Sequence, residues 1–174
     1  MIVILRDLVI MVVRSSALSI IFSLIIIGII ASIFFKRILW GILAVVPLSS
    51  AVIINFGFMG YFGIELSHIT ALLSSVIIGV GVDFAIHYIS QYRRLSKSTD
   101  IKKLSRSVVD DVGYPIILDA ASNMGFGALL FSAFVPIKYI GGLMVFAMIS
   151  TSLGTLTVLA ASAELLKNRL VNKD

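Results

Sequence analysis

The chain of 174 residues contains no cysteine, so it can form neither a disulfide bond nor a thiolate metal site. Charged residues are also scarce, at 13% of the chain against about 25% in an average soluble domain. No polar stretch is long enough to fold as a separate domain outside a membrane. The net charge of +5 lies in short patches between apolar runs, which is typical of topology signals and argues against a nucleic-acid partner.

What the chain has in abundance is apolar sequence: 59% of its residues are hydrophobic and the mean hydropathy is +1.11. A membrane-spanning helix needs about 20 mostly apolar residues. The sequence therefore predicts an all-α, polytopic membrane bundle, in which one transmembrane domain covers residues 16–166. Its five transmembrane helices are expected at about 16–35, 38–61, 69–92, 113–134 and 139–166.

Three further segments complete the predicted organisation. Residues 1–15 are interrupted by charged side chains, and we expect an amphipathic lead-in at the outer membrane surface. Residues of about 98–112 alternate apolar and basic side chains at helical spacing, which favours a cytoplasmic surface helix, although a solvated connector is an equal alternative. Residues 167–174 form a short polar tail. A start on the outer side also suggests that an upstream part precedes this sequence.

The distribution of Lys and Arg predicts the orientation. Eleven of these residues fall on one side of the predicted spans and three on the other. The positive-inside rule places the first group in the cytoplasm, so the C-terminus is expected inside and the N-terminus outside. The predicted location is the cytoplasmic membrane of a prokaryotic cell.

The third predicted helix carries an unusual polar stripe. Ser75, Gly79, Asp83, His87 and Gln91 recur every four residues and therefore share one helix face. An ionised side chain at the centre of a spanning helix costs about 2.5–3.5 kcal/mol on insertion scales. Such a stripe is expected to face protein or water. Asp83 either binds a proton or holds helices together by a hydrogen bond, and this helix alone does not decide between the two.

A second acid in the fourth predicted helix favours the functional interpretation. Asp119 is followed on the same face by Ser122 and Asn123. Counted from the predicted cytoplasmic ends, Asp119 and His87 lie at a similar depth, with Asp83 one turn deeper. We therefore expect a proton relay formed by these three residues, because two acids and a histidine in a membrane can exchange protons near neutral pH.

Five neighbours of this relay are expected to support it. The side chains of Ser75, Ser122 and Asn123 supply hydrogen bonds, and Gly79 and Gly81 allow another backbone to approach closely. No metal site is predicted, since the two histidines are nineteen residues apart on one helix. The sequence also contains no recognisable pattern of an enzyme, so neither catalysis nor a cofactor is expected.

Two segments carry a resemblance to a known family. Residues 79–87 read Gly-Val-Gly-Val-Asp-Phe-Ala-Ile-His and are followed by Tyr-Arg-Arg at 92–94. Residues 119–141 begin Asp-Ala-Ala-Ser-Asn-Met-Gly-Phe-Gly. These segments resemble helices four to six of the resistance-nodulation-division (RND) superfamily, especially its MMPL-type and predicted-exporter branches. The five-helix block, about 16–166, is also similar in extent to a sterol-sensing domain.

The resemblance implies helices two to six of a six-helix half of a proton-coupled transporter, in which Asp83 matches the proton-relay aspartate. It implies export of a lipidic or hydrophobic substrate, energy from the proton-motive force, and a second half-transporter or second copy as partner in the bilayer. This chain departs from the family in three respects: it lacks the first helix, the large outer domain and a tyrosine at position 84. The alternative is a membrane module that does not transport and binds lipid or a partner protein, or a truncated remnant.

Overall fold

The computed structural model describes residues 2–64, 68–100 and 103–171, and no strand occurs in these ranges. The α-helices are α1 Ile2–Phe34, α2 Ile38–Tyr61, α3 His68–Leu95, α4 Leu104–Asn123, α5 Val135–Gly154 and α6 Ala160–Val171. Five helical stretches are long and apolar enough to cross a membrane: Val9–Phe34, Ile38–Tyr61, Leu73–Leu95, Leu104–Phe131 and Val135–Lys167. The expected all-α bundle with five spans is confirmed, and the chain is a multi-pass membrane protein.

The first helix is longer than the sequence predicted. α1 begins at Ile2 and runs without a break to Phe34, so the expected lead-in is continuous with the first span and is not a separate element. A helix satisfies its own backbone polar groups, which favours continuation of the helix once it is formed beside a membrane. α1 ends in a Schellman turn, in which Lys36 has a φ of 57° and the Arg37 amide donates to the Ser32 carbonyl at 2.9 Å.

The surface helix expected at about 98–112 is also not a separate element. Residues 104–112 form the first turns of α4, and residues 101 and 102 lie outside the described ranges. Their place relative to the membrane surface stays a prediction. The last eight residues of the fourth span, Met124–Phe131, form a 3₁₀-helix, which ends three residues before the predicted end of that span. A 3₁₀-helix rises about 2.0 Å per residue, so this segment is longer and thinner than an α-helix with the same number of residues.

The fifth span contains a local widening of the helix. α5 begins at Val135, with Pro136 in its first turn, and is followed by a π-helical segment, Thr155–Leu159, and then by α6. The predicted boundaries of 139 and 166 were both too narrow. Residues 167–171 of the expected tail belong to α6, and residues 172–174 lie outside the described part of the chain.

The third helix is the centre of the bundle, since α3 contacts α1, α2, α4 and α5. Its inner face buries Phe84, Tyr88 and Tyr92 against a cluster of apolar side chains that includes Trp40 and Leu104. α2 and α5 pack on a second cluster nearer the other end of the bundle. This arrangement fixes which face of α3 is left uncovered, and that face carries the polar stripe.

Candidate functional site

The predicted polar stripe lies on the outer side of α3. Gly79, Asp83 and His87 are exposed on the surface of the chain, while Ser75 and Gln91 at the two ends are half-buried. The ionisable side chains of Asp83 and His87 therefore lie near the middle of a membrane span without cover from this chain. Either a partner or water must cover them in the membrane, because hydrocarbon would leave the carboxylate unsatisfied.

A cleft of about 310 Å³ lies between α3 and α4 and brings two of the three predicted relay residues together. Its lining side chains are Phe84, His87, Ser90, Gln91, Asp111, Val112, Pro115, Ile116 and Asp119. Thus His87 and Asp119 face the same space. Asp83 is not among the lining residues and lies on the neighbouring exposed surface of α3.

Polar contacts at one end of the cleft fix the register of α3 against α4, that is, which residues of the two helices lie at the same level. The Gln91 amide donates a hydrogen bond to the Asp111 carboxylate, and the Arg94 guanidinium lies 3.8 Å from the same carboxylate. Because α3 and α4 are antiparallel, two residues lie at the same level when one precedes Gln91 and the other follows Asp111 by the same number of residues. Asp83 precedes Gln91 by eight residues and Asp119 follows Asp111 by eight residues. Asp119 is therefore roughly level with Asp83, about 12 Å from the contact.

This register corrects the expected depth order, in which Asp119 was level with His87. The prediction took Gly113 as level with Arg93, whereas the contact between the two helices places Asp111 level with Gln91. The residue level with His87 is Pro115, which also lines the cleft. By this register the two acids lie at the same level of the helix pair, and His87 lies one turn from them toward Arg94.

The side chain of Asp119 has polar neighbours on its own helix. Asn123 donates from its side-chain amide to the Asp119 carboxylate at 3.2 Å and to the Asp119 backbone carbonyl at 3.0 Å. Ser122 is exposed beside them. An amide donor so close favours a carboxylate that is oriented along its own helix rather than free to rotate.

The two glycines of the stripe region have different surroundings. A Cβ atom at Gly81 would lie 2.6 Å from Leu48 and 2.7 Å from Thr151, so Gly81 permits close packing of α3 on α2 and α5. Gly79 has no described heavy atom within 4 Å of such a Cβ atom. The expected close approach is thus present at Gly81, whereas at Gly79 this chain supplies no neighbour and the helix backbone is open.

Sequence reasoning missed two polar contacts. Asp111, which anchors the register, lay in the segment treated as a surface helix. Glu164 accepts a hydrogen bond from Ser105 at 2.7 Å and also pairs with Lys167, which ties α6 to α4. For Glu164 the available signal was an acid inside a predicted span, the same signal that identified Asp83, whereas Asp111 lay outside the predicted spans.

The site combines two acidic side chains and one imidazole on neighbouring helices. Carboxylates and an imidazole are side chains that can bind and release protons. Among the residues the structure describes, no three His, Asp or Glu side chains are grouped as metal ligands would be. The site residues and their geometry therefore define a membrane bundle with an uncovered polar face at mid-membrane.

Comparison with known proteins identifies the family. Residues 33–161 match the family described as the sterol-sensing domain of SREBP cleavage-activation, and the chain belongs to this family. The matched region contains α2 to α5 with the whole polar stripe and the cleft. The expected similarity to a sterol-sensing domain is confirmed.

One curated relative extends this finding. A protein of Methanocaldococcus jannaschii, named as a membrane protein, MJ1562, is 34% identical over 104 residues, or 59% of this chain. The aligned part is 27% of that relative, so this chain spans about a quarter of its length. No solved structure matches the chain.

Proposed function

We propose that this chain is the membrane half, or a fragment, of an RND-type proton-coupled secondary transporter that exports lipidic or hydrophobic substrates. The single observation that carries the proposal is the position of Asp83. It lies on an exposed helix face at mid-span, beside a cleft that holds His87 and Asp119. A buried hydrogen bond within this chain would have placed the carboxylate inward. The direct test replaces Asp83 by an isosteric amide and measures transport driven by an imposed pH gradient.

The second candidate function is a membrane module that binds lipid or a partner protein without transport. The observation that favours it is the match of residues 33–161 to the sterol-sensing domain family. The two functions differ in their need for a titratable side chain at position 83. A binding module requires only a hydrogen bond there, whereas a proton carrier requires ionisation.

The proposal includes a partner over the polar face, and a second copy of the chain is the simplest. Gly79→Cys is expected to form a disulfide between two chains under oxidising conditions, because Gly79 is open on the face to be covered. The chain has no other cysteine, so a covalent dimer on a non-reducing gel is unambiguous. Ile53→Cys, on an exposed apolar face of α2, is the control and should remain monomeric. If the Gly79→Cys variant is as monomeric as this control, the partner is not a second copy of the chain. The partner would then be a different half-transporter.

The proposed orientation has the N-terminus outside and the C-terminus in the cytoplasm. Single cysteines at Tyr61, the last residue of the second span and 86% exposed, and at Ser98, after the third span, are expected on opposite sides of the membrane. In intact cells a membrane-impermeant maleimide should label Tyr61→Cys at once and Ser98→Cys only after lysis. Labelling in the reverse order would contradict the orientation.

A further inference from the structure

A second concave surface lies between α1 and α2 and shares no lining residue with the cleft. It is a groove of about 790 Å³, lined by residues between 24 and 33 of α1 and between 38 and 50 of α2. Most of the lining side chains are Ile and Val, and Ile33 and Ile38 at one end are strongly exposed. Its volume is within the range of about 300–1,000 Å³ that is typical of small-molecule sites.

The hollow arises where the two helices approach closely because only small residues lie between them. A Cβ atom at Gly41 would lie 2.3 Å from the Gly28 carbonyl oxygen and 1.9 Å from the Ser32 hydroxyl. Both glycines line the groove, so its deepest part is formed by backbone and not by bulky side chains. Flanking isoleucines then form two apolar walls, and the shape suits a narrow chain better than a broad, rigid ring system.

The polar atoms in the groove are already satisfied within their own helices. The hydroxyls of Ser32, Ser49 and Ser50 donate to carbonyls one turn earlier, at 2.6, 2.9 and 3.0 Å. No hydroxyl proton remains for a ligand, and among the described residues no charged side chain lines the walls. The part of a ligand inside the groove must therefore be hydrocarbon.

One end of the groove is basic. The turn between α1 and α2 contains Lys36, which is exposed, and Arg37, whose Nη1 atom donates to the Leu170 carbonyl at 2.9 Å. That contact brings the end of α6, with the exposed Arg169, to the same turn. A turn between two spanning helices lies at a membrane surface, where lipid headgroups are found. Its positive charge is complementary to a phosphate group.

We propose that this groove binds one acyl chain of an anionic phospholipid, with the phosphate held by Lys36. The apolar walls account for the acyl chain and the basic turn accounts for the charge of the headgroup. A sterol would use the walls and leave the basic end without a partner, since its polar group is a single neutral hydroxyl. The proposal does not depend on proton-coupled transport, because none of these residues belongs to the polar stripe or the cleft.

The test is a lipid titration of the purified full chain in detergent, with bound lipid counted by native mass spectrometry. The probes are phosphatidylglycerol and phosphatidylcholine with the same acyl chains. Phosphatidylglycerol should bind about fivefold more tightly than phosphatidylcholine, because one lysine contacts its phosphate. Lys36→Gln should remove that preference and leave phosphatidylcholine binding unchanged. Lys97→Gln, an exposed lysine in the turn after α3, is the matched control and should keep the preference.

A second pair of variants tests the groove itself. Ile42→Trp fills the groove from α2 and should weaken the binding of both lipids, and Ile29→Trp should do the same from α1. Ile53→Trp, on the same helix as Ile42 but outside the groove, should bind both lipids as the wild type does. All three positions are exposed, so circular dichroism should show an unchanged helix content. Three results would each overturn the proposal. The wild type could bind the two lipids with equal affinity, or Ile42→Trp and Ile53→Trp could have equal effects on binding. Cholesterol could also displace phosphatidylglycerol completely.

Discussion

Asp83→Asn should abolish transport driven by a pH gradient, with a loss of about 100-fold or more, because an amide cannot bind and release the coupled proton. Folding should be nearly unchanged, since Asn has the size of Asp and can form similar hydrogen bonds with the partner or water that covers this face. The measurement is uptake of a fluorescent lipid into proteoliposomes with an imposed pH gradient, in the complete assembly of two halves. Expression and helix content of the variant are measured alongside.

The matched control is Asp110→Asn, which removes an exposed carboxylate from the start of α4, away from the polar stripe. It should transport at the wild-type rate. Asp83→Ala separates the two roles of the residue, because it removes both the proton site and the hydrogen bonds. If Asp83 only holds helices together, Asn is tolerated and Ala disrupts the assembly. Full gradient-driven transport by Asp83→Asn would remove the proton-carrier assignment.

Gly41→Ala should cause the second large effect, a loss of about 1–3 kcal/mol in the free energy of unfolding. The new methyl group would lie 2.3 Å from the Gly28 carbonyl oxygen, which is backbone and cannot move aside without separating α1 from α2. The measurement is reversible unfolding by sodium dodecyl sulfate in mixed micelles, followed by circular dichroism.

Gly57→Ala is the control on the same helix, since no described heavy atom lies within 4 Å of a Cβ atom at that position. It should leave stability unchanged or raise it slightly. Adding Ser32→Ala to Gly41→Ala should restore only part of the lost stability, because it removes the hydroxyl contact and leaves the carbonyl in place. Equal stability of Gly41→Ala and Gly57→Ala would show that the two helices do not approach as closely as described.

The number and type of helices could be predicted because a spanning segment is recognised by length and hydropathy alone. The second helix, Ile38–Tyr61, agrees with its prediction at both ends, since Lys36 and Arg37 mark one limit and the glycine-rich turn the other. The predicted start of α4 was wrong because a polar first turn is compatible with two structures, a separate surface helix and an extension of the spanning helix. Only packing against α3, through Asp111, distinguishes these two outcomes.

The candidate site was predictable in part. The four-residue spacing placed Asp83 and His87 on one face, and helical geometry makes that result independent of packing. Which neighbour covers the face depends on tertiary contacts, and the sequence pattern contains no information about them. The depth of Asp119 required the register between two helices, which one side-chain contact determines. Glu164 was overlooked because its partner Ser105 is distant in sequence.

The π-helical segment Thr155–Leu159 has a consequence for the orientation of everything after it. A π-turn accommodates one residue more than an α-turn, and each residue of an α-helix rotates its successors by about 100°. The extra residue therefore rotates the side chains of α6 about the helix axis, relative to the positions that an uninterrupted α-helix would give them. The continuous helix formed by α5 and α6 can therefore direct apolar side chains of α5 toward α2 and α3. In α6 it directs the carboxylate of Glu164 toward Ser105.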